Sequence, residues 1–233
     1  MNLEAGLVAA VLLGTSWEFL KIGHTCLVDA GLICWIALAM AAGLDRKYLL
    51  SGLAMGLAFL SKGPVGVILP GAALGIFLLW ERRGDVPKAL LGLLPGLLIS
   101  ALWLWALHQR GDAWDAYWQD QFRRTGIRVE HAAPVYAYLG YLVTDFAPWS
   151  LLIPFLIWKL VRGGVSAVFR FPLTWFLSSL LLLSLVTSKR GLYLVPAFPA
   201  LALRRAAIFR GGWIRRALAA ARAVRWCAGA LVR

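Results

Sequence analysis

The sequence is poor in charged residues, and negative charge is the scarcer kind. Only 15% of its 233 residues are charged, and 11 Asp and Glu stand against 24 Lys and Arg. Soluble domains carry about 25% charged residues. With 61% hydrophobic residues and a mean hydropathy of +0.75, a soluble fold would expose large apolar patches, which promote aggregation. The composition therefore excludes an ordinary soluble domain and predicts an integral membrane protein.

Cysteine is scarce as well. Cys26, Cys34 and Cys227 have no metal-ligand spacing, and two of them lie in or beside apolar runs. We predict that they are small buried hydrophobic residues rather than redox or metal sites. The sequence indicates no metal ligands and no definite cofactor, and it does not specify whether a divalent metal is needed.

Long apolar runs are abundant. Runs of about 17–25 residues can cross a bilayer as helices, and shorter ones can do so when polar neighbours extend the helix ends. We predict about eight membrane segments, at residues 3–20, 27–43, 48–60, 63–80, 89–107, 146–158, 171–187 and 191–203. The predicted fold class is therefore all-α, a polytopic membrane helix bundle.

The basic residues predict the orientation of the bundle. If the first segment runs outward, then the connections 45–47, 81–88 and 159–170 and the pair Arg204/Arg205 are cytoplasmic and hold most of the connecting cations. This bias is the one that the positive-inside rule describes. It does not suit a groove for nucleic acid, so we predict no nucleic-acid partner. The expected domains are a transmembrane domain at 1–209 and a basic cytoplasmic tail at 210–233.

One connection, about 108–145, is long and external in this topology. Loops beyond about 12–15 residues are usually functional or disordered. Its content of Trp and Tyr argues against disorder, so we expect short helices at the membrane surface with aromatic rings at headgroup level.

Two charged residues near segment ends are candidates for chemistry. Asp29 lies two positions into an apolar run, where an acid usually faces a cavity or a partner. The alternative is a structural acid that the helix dipole stabilises by about 0.3–1 kcal/mol. Lys62 precedes Gly63 and Pro64, which break the helix and expose amides to an anion. The alternative there is a lysine that extends to the membrane surface.

Further candidates lie in the external connections. Lys189 and Arg190 are adjacent cations on the side that should have few, and such donors suit a phosphate. The alternative is a plain short loop. Arg123 and His131, in the long loop, are weaker signals on their own.

Taken in order, these segments resemble the glycosyltransferases that use a polyprenyl-phosphate sugar as donor, the group of aminoarabinose transferase and the protein O-mannosyltransferases. The stretches that carry the resemblance are Leu27-Val-Asp29-Ala, Ser61-Lys-Gly-Pro64, His131 to Pro134 with Tyr136, Tyr138 and Pro148-Trp149-Ser150, and Ser188-Lys-Arg-Gly-Leu-Tyr193-Leu-Val-Pro196. They extend over residues 3–203.

The resemblance implies a GT-C membrane fold in the bacterial inner membrane, with its site facing the periplasm or exterior. It implies transfer of a hexose or pentose from a polyprenyl phosphate to a glycan, a lipid such as lipid A, or a protein. By this resemblance Asp29 matches an acid beside the catalytic centre, and we assign it a catalytic role. The substrate-binding residues it implies are Lys62, Arg123, His131, Lys189, Arg190 and Tyr193.

Two departures from the family are visible. The family's principal catalytic carboxylate lies in an earlier outer loop, so the resemblance implies that this chain is a fragment that begins after it. The basic, Ala-rich stretch from Arg204 onward also departs from the family. The rival function is a multi-pass transporter or flippase for a lipid-linked or anionic substrate, which also needs many spans and buried charge.

Overall fold

The computed structural model of the protein describes residues 3–25, 28–125, 133–154, 157–158, 162, 167–186 and 189–201, and its regular elements there are helices. The α-helices are α1 Leu3–Gly14, α2 Trp17–Thr25, α3 Val28–Leu44, α4 Tyr48–Lys62, α5 Val65–Glu81, α6 Val86–Gly92, α7 Leu94–His108, α8 Asp112–Thr125, α9 Ala137–Asp145 and α10 Ala167–Leu185. The 3₁₀ helices are Arg83–Asp85, Trp149–Leu152 and Gly191–Ala197. The predicted all-α class is confirmed.

The core lies between α3, α4 and α5. Ile36 and Met40 of α3 and Met55 of α4 are almost completely buried. The hydroxyl of Ser51 in α4 donates to the carbonyl of Ala39 in α3 at 2.8 Å, which satisfies a polar group inside an apolar interface. These helices form the frame to which the outer elements attach.

Helix α4 is in backbone contact with α6 and α7 along a glycine seam, which is formed by Gly52 and Gly56 of α4 with Gly92 of α6 and Gly96 of α7. A Cβ at Gly52 would overlap the carbonyl oxygen of Gly92, and one at Gly56 would lie 2.8 Å from the Cα of Gly96. Small residues four apart allow such close approach between helices in membranes.

The lengths of the helices differ from the predicted spans. In the described part of the chain, the continuous stretch Arg83–His108 is long and apolar enough to cross a membrane. Residues 6–14 and 17–25 meet the same criterion together but are bent by 71° relative to each other. The remaining apolar helices, such as α3, α4 and α5, have 10–17 residues.

The predicted first segment, 3–20, is not one straight helix, and long-range hydrogen bonds explain why. The amide of Trp17 donates to the carbonyl of Ala147 at 2.9 Å, and the indole nitrogen of Trp149 donates to the hydroxyl of Thr15 at 2.8 Å. The hydrophobic periodicity of a segment gives no information about hydrogen-bond partners about 130 residues away in the chain. The expectation of one straight helix here is therefore wrong, and the segment consists of two helices bent by 71°.

The predicted segment 146–158 is also interrupted. Its first residues form a turn that contains Pro148, which lacks an amide donor, and then the short 3₁₀ helix Trp149–Leu152. The last predicted segment begins as 3₁₀ helix at Gly191 and becomes α-helical at 198–201. The tail 210–233 lies outside the described residues.

The prediction that the cysteines are buried is wrong for Cys34, which is exposed on the surface of α3. Cys34 lies on the side of α3 opposite to the buried residues Leu32 and Ile36. Cys26 and Cys227 lie outside the described residues.

The connections predicted to be cytoplasmic meet at one end of the bundle. Arg46 lies 3.3 Å from the carboxylate of Asp85, whose Oδ2 also accepts a hydrogen bond from Tyr48 at 3.0 Å. Arg170 forms an ion pair with Glu81. These contacts join Arg46 and Tyr48 to Asp85, and Arg170 to Glu81, and the candidate site lies at the opposite end of the bundle.

Candidate functional site

An ion pair joins α3 to α4 at the end of the bundle opposite to that cluster. Asp29 lies in the first turn of α3 and Lys62 is the last residue of α4, so the antiparallel helices bring the two side chains together. The Lys62 ammonium donates to Oδ1 of Asp29, and the side chains are only 15% and 8% exposed. Asp29 therefore has a charged partner, as expected for an acid inside an apolar run.

Lys62 makes a second contact, to the turn that follows Arg190. Its Nζ lies 4.7 Å from the centre of the Tyr193 ring, a cation–π geometry. The amide of Tyr193 donates to the carbonyl of Arg190 at 3.1 Å. Three residues named from the sequence, Asp29, Lys62 and Tyr193, thus form one connected group.

Helix α4 ends at Lys62, before Gly63 and Pro64, as predicted. The prediction that this break exposes backbone amides to an anion is wrong for the amides described next. Gly63 has a φ of +73°, which glycine adopts without strain. The amides of Gly63, Gly66 and Val67 donate to the carbonyls of Phe59, Gly63 and Pro64. These three amides are therefore not available to an anion, and the ammonium of Lys62 is engaged by Asp29.

Helix α8, inside the long loop, covers this break. A Cβ at Gly63 would lie 2.9 Å from the Tyr117 hydroxyl, so only glycine allows this approach. Aromatic rings packed edge to face continue from α4 through α7 to α8: Phe59–Trp103 at 5.7 Å, Trp103–Tyr117 at 5.1 Å and Tyr117–Trp118 at 5.3 Å. Such pairs contribute about 0.5–1.5 kcal/mol each beyond burial. The predicted short helices in the loop are present, and ring packing holds α8 in place.

A cavity of about 370 Å³ opens beside this group. It is lined chiefly by Glu18, Lys21, Tyr141, Lys189, Arg190 and Gly191. Lys189 is almost completely buried, and its ammonium donates to the carbonyl of Val186 at 2.6 Å. An ammonium has three donors, and that carbonyl uses one of them. Arg190 is exposed and offers a planar fork suited to a phosphate.

The cavity has an acidic side as well. Glu18 of α2 is buried and lies 3.4 Å from Lys21, whose side chain is 61% exposed. Asp145, the last residue of α9, lies against Gly191, where its Oδ2 occupies the space that a Cβ would fill. A glycine at 191 is therefore required for this carboxylate to reach the wall of the cavity.

The surroundings of Asp145 change the pKa of its carboxyl group. Burial raises the pKa of the Asp145 carboxyl above its ordinary value of 3.8, and the charge of Glu18 acts in the same direction. A hydrogen bond from Thr144, at 2.8 Å, and the charge of Lys21 oppose this rise. Burial likewise raises the pKa of Tyr138, which packs beneath the same turn.

The structure does not place every predicted residue. It brings Asp29, Lys62, Lys189, Arg190 and Tyr193 to one end of the bundle. Arg123 lies near the end of α8, and His131 lies outside the described residues.

Glu18, Asp145 and Gly191 were missed by the sequence reasoning. Glu18 interrupts an apolar run as Asp29 does, which is a signal that could have identified it. Within the described residues, no three His, Cys, Asp or Glu side chains gather as a metal site.

Comparison with solved structures defines the fold. The chain superimposes with a TM-score of 0.69 on the crystal structure of ArnT from Cupriavidus metallidurans bound to undecaprenyl phosphate. The match covers 88% of this chain and 40% of that one, at 22% sequence identity. The apo structure of the same protein gives a TM-score of 0.68. The helices described above thus have the fold of that protein.

Sequence comparison identifies the family. Residues 1–105 match the family of dolichyl-phosphate-mannose-protein mannosyltransferases. The chain is 34% identical over 174 residues to the undecaprenyl phosphate-alpha-4-amino-4-deoxy-L-arabinose arabinosyl transferase of Pseudomonas aeruginosa (strain UCBPP-PA14), and 30% identical over 233 residues to that of Pectobacterium atrosepticum. The resemblance to polyprenyl-phosphate-sugar glycosyltransferases is confirmed.

The chain corresponds to a part of these relatives. The matches cover 71% and 90% of this chain, but only 32% and 41% of the Pseudomonas aeruginosa and Pectobacterium atrosepticum proteins. The chain therefore spans about a third to two-fifths of the length of those proteins.

Proposed function

We propose that this protein acts as a membrane glycosyltransferase, or as part of one, that transfers a pentose from undecaprenyl phosphate to a lipid acceptor of the lipid A type. The observation that supports this most is the position of the Asp29–Lys62 pair, Tyr193 and the Lys189/Arg190 cavity at one end of the bundle. The names of the relatives support the donor and the sugar.

The proposed roles of the site residues in this reaction follow mainly from the charges of their side chains. In the proposed reaction, the acceptor hydroxyl attacks the anomeric carbon, the bond from that carbon to the phosphate oxygen breaks, and the hydroxyl proton goes to a carboxylate. Asp29 is the proposed proton acceptor or orienting base. Lys189 and Arg190 would stabilise the charge on the departing polyprenyl phosphate. Lys62 and Tyr193 would hold Asp29 beside the sugar.

The membrane topology and location of the protein are also proposals. We propose about eight membrane segments within residues 1–209 and a basic cytoplasmic segment at 210–233. The site would then face the periplasm from a bacterial inner membrane. The ion pairs that gather three basic connections at the opposite end support this orientation.

Binding of undecaprenyl phosphate to the purified chain in lipid nanodiscs tests the proposal. We expect Lys189→Ala and Arg190→Ala each to weaken binding at least about tenfold, which corresponds to 1.4 kcal/mol. Lys88→Ala removes an exposed cation at the opposite end and should leave binding unchanged. Unchanged affinity in both site variants would refute the assignment of the phosphate site.

Two further measurements separate the alternatives. A transporter or flippase would move labelled undecaprenyl-phosphate sugar across a vesicle without cleaving the sugar–phosphate bond. With wild-type membranes we expect label to appear in lipid A rather than in an added peptide. Label in the peptide would instead favour the protein acceptor that the matched mannosyltransferase family suggests.

A further inference from the structure

The cavity beside the Asp29–Lys62 pair carries charges of both signs on different elements. Lys189, Arg190 and Gly191 come from the turn before the last described helix, whereas Glu18 comes from α2. A cavity for a phosphate alone needs cations and amides, and a buried carboxylate would repel that ligand. The presence of Glu18 therefore needs another explanation.

A second carboxylate, that of Asp145, lies behind the residues that line the cavity and adds to the negative charge of Glu18. Asp145 lies against Gly191, and it is close enough to Glu18 for the two carboxylates to influence each other. The cation beside Glu18, Lys21, is mostly exposed and lies at 3.4 Å, so its interaction is weakened by solvent. A cationic group of a ligand inside the cavity would interact with Glu18 in a less hydrated setting.

We propose that Glu18, supported by Asp145, recognises the protonated amine of an amino sugar whose phosphate is held by Lys189 and Arg190. This inference rests on the proposed function and assigns the residues that would distinguish an amino-sugar donor from a neutral one. The volume of the cavity, about 370 Å³, lies within the range of small-molecule sites, about 300–1,000 Å³. An amino sugar linked to one phosphate carries charges of both signs, as the residues that line the cavity do.

Three probes separate this inference from the proposed function. They are undecaprenyl phosphate, undecaprenyl phosphate-4-amino-4-deoxy-L-arabinose, and the latter with its amine formylated, which removes the positive charge. Their affinities for the wild-type chain in nanodiscs give the ratio of amino to formylated donor. Because a charge-assisted contact is lost on formylation, we expect a ratio of at least about ten.

Variants of Glu18 and Asp145 then test whether these two residues produce the preference for the amino donor. Glu18→Gln and Asp145→Asn retain shape and hydrogen-bonding capacity, and each should lower the ratio, Glu18→Gln to near one. Affinity for undecaprenyl phosphate alone should stay within about twofold, because the phosphate contacts remain. Asp45→Asn, an exposed acid at the opposite end, is the matched control and should keep the wild-type ratio.

The outcomes that count against each idea differ. A wild-type ratio near one, or a ratio unchanged in Glu18→Gln, overturns the amine assignment while undecaprenyl phosphate still binds. Absence of any binding of undecaprenyl phosphate counts against the proposed function and removes the inference with it. Melting temperatures of the variants in the same nanodiscs establish that each one is folded.

Discussion

The carboxylate of Asp29 and the ammonium of Lys62 form a largely buried ion pair between the first turn of α3 and the last residue of α4. The pair holds the acid at the end of the bundle, in contact through Lys62 with the ring of Tyr193. This contact fixes the position of the carboxylate, where it could accept a proton or orient a hydroxyl.

Asp29→Asn should lower sugar transfer by about 100-fold or more, the usual scale for a general acid–base group. The measurement is transfer of labelled sugar from undecaprenyl phosphate in membranes that carry the wild-type or variant protein. Near-normal transfer would mean that Asp29 is a structural acid at a helix start.

The double variant Asp29→Asn/Lys62→Met separates the structural role from the chemical one. Asp29→Asn alone leaves a buried ammonium without its carboxylate, which costs stability. Removing the ammonium as well should recover part of the melting temperature but none of the transfer activity. Recovery of transfer in the double variant would contradict a chemical role for Asp29.

Gly52→Ala should destabilise the protein by about 1–3 kcal/mol or more, because its Cβ would overlap the carbonyl of Gly92 and push α4 away from α6. Gly75→Ala in α5 is the matched control, since a Cβ there has no heavy atom within 4 Å. That variant should be neutral or gain up to about 1 kcal/mol from helix propensity. Thermal unfolding in detergent gives both values, and equal melting temperatures would rule out the glycine seam.

Gly191→Ala should displace the Asp145 carboxylate and with it the turn that carries Lys189 and Arg190. We expect affinity for undecaprenyl phosphate to fall at least about tenfold. Gly140→Ala in α9, where a Cβ meets nothing within 4 Å, should bind as the wild type does. Wild-type affinity in Gly191→Ala would show that the turn tolerates the movement of Asp145.

The raised pKa of Asp145 predicts a pH dependence of stability. The folded protein holds this proton more tightly than the unfolded chain does, so stability falls as pH rises from the ordinary value of 3.8 through the raised one. Asp145→Asn removes this contribution. The difference in melting temperature, variant minus wild type, should therefore increase with pH over that window and then level off. A difference that is constant with pH would contradict the prediction.

The sequence by itself determined the membrane character, the helical class, the family and the charged residues at helix ends. Apolar composition excludes a water-exposed fold, and Gly63 with Pro64 ends α4 whatever surrounds it. The position of Asp29 inside an apolar run also predicted a partner for it, and the antiparallel packing of α3 against α4 makes that partner Lys62.

Only the tertiary structure decided where the helices break and which acids lie at or near the cavity. The bend after α1 depends on bonds from Trp17 to Ala147 and from Trp149 to Thr15, and the position of Asp145 depends on the missing side chain of Gly191. These contacts join residues about 50–130 positions apart, as the numbering shows. Local periodicity and propensity extend over a few helical turns, so no pattern within one segment could have predicted them.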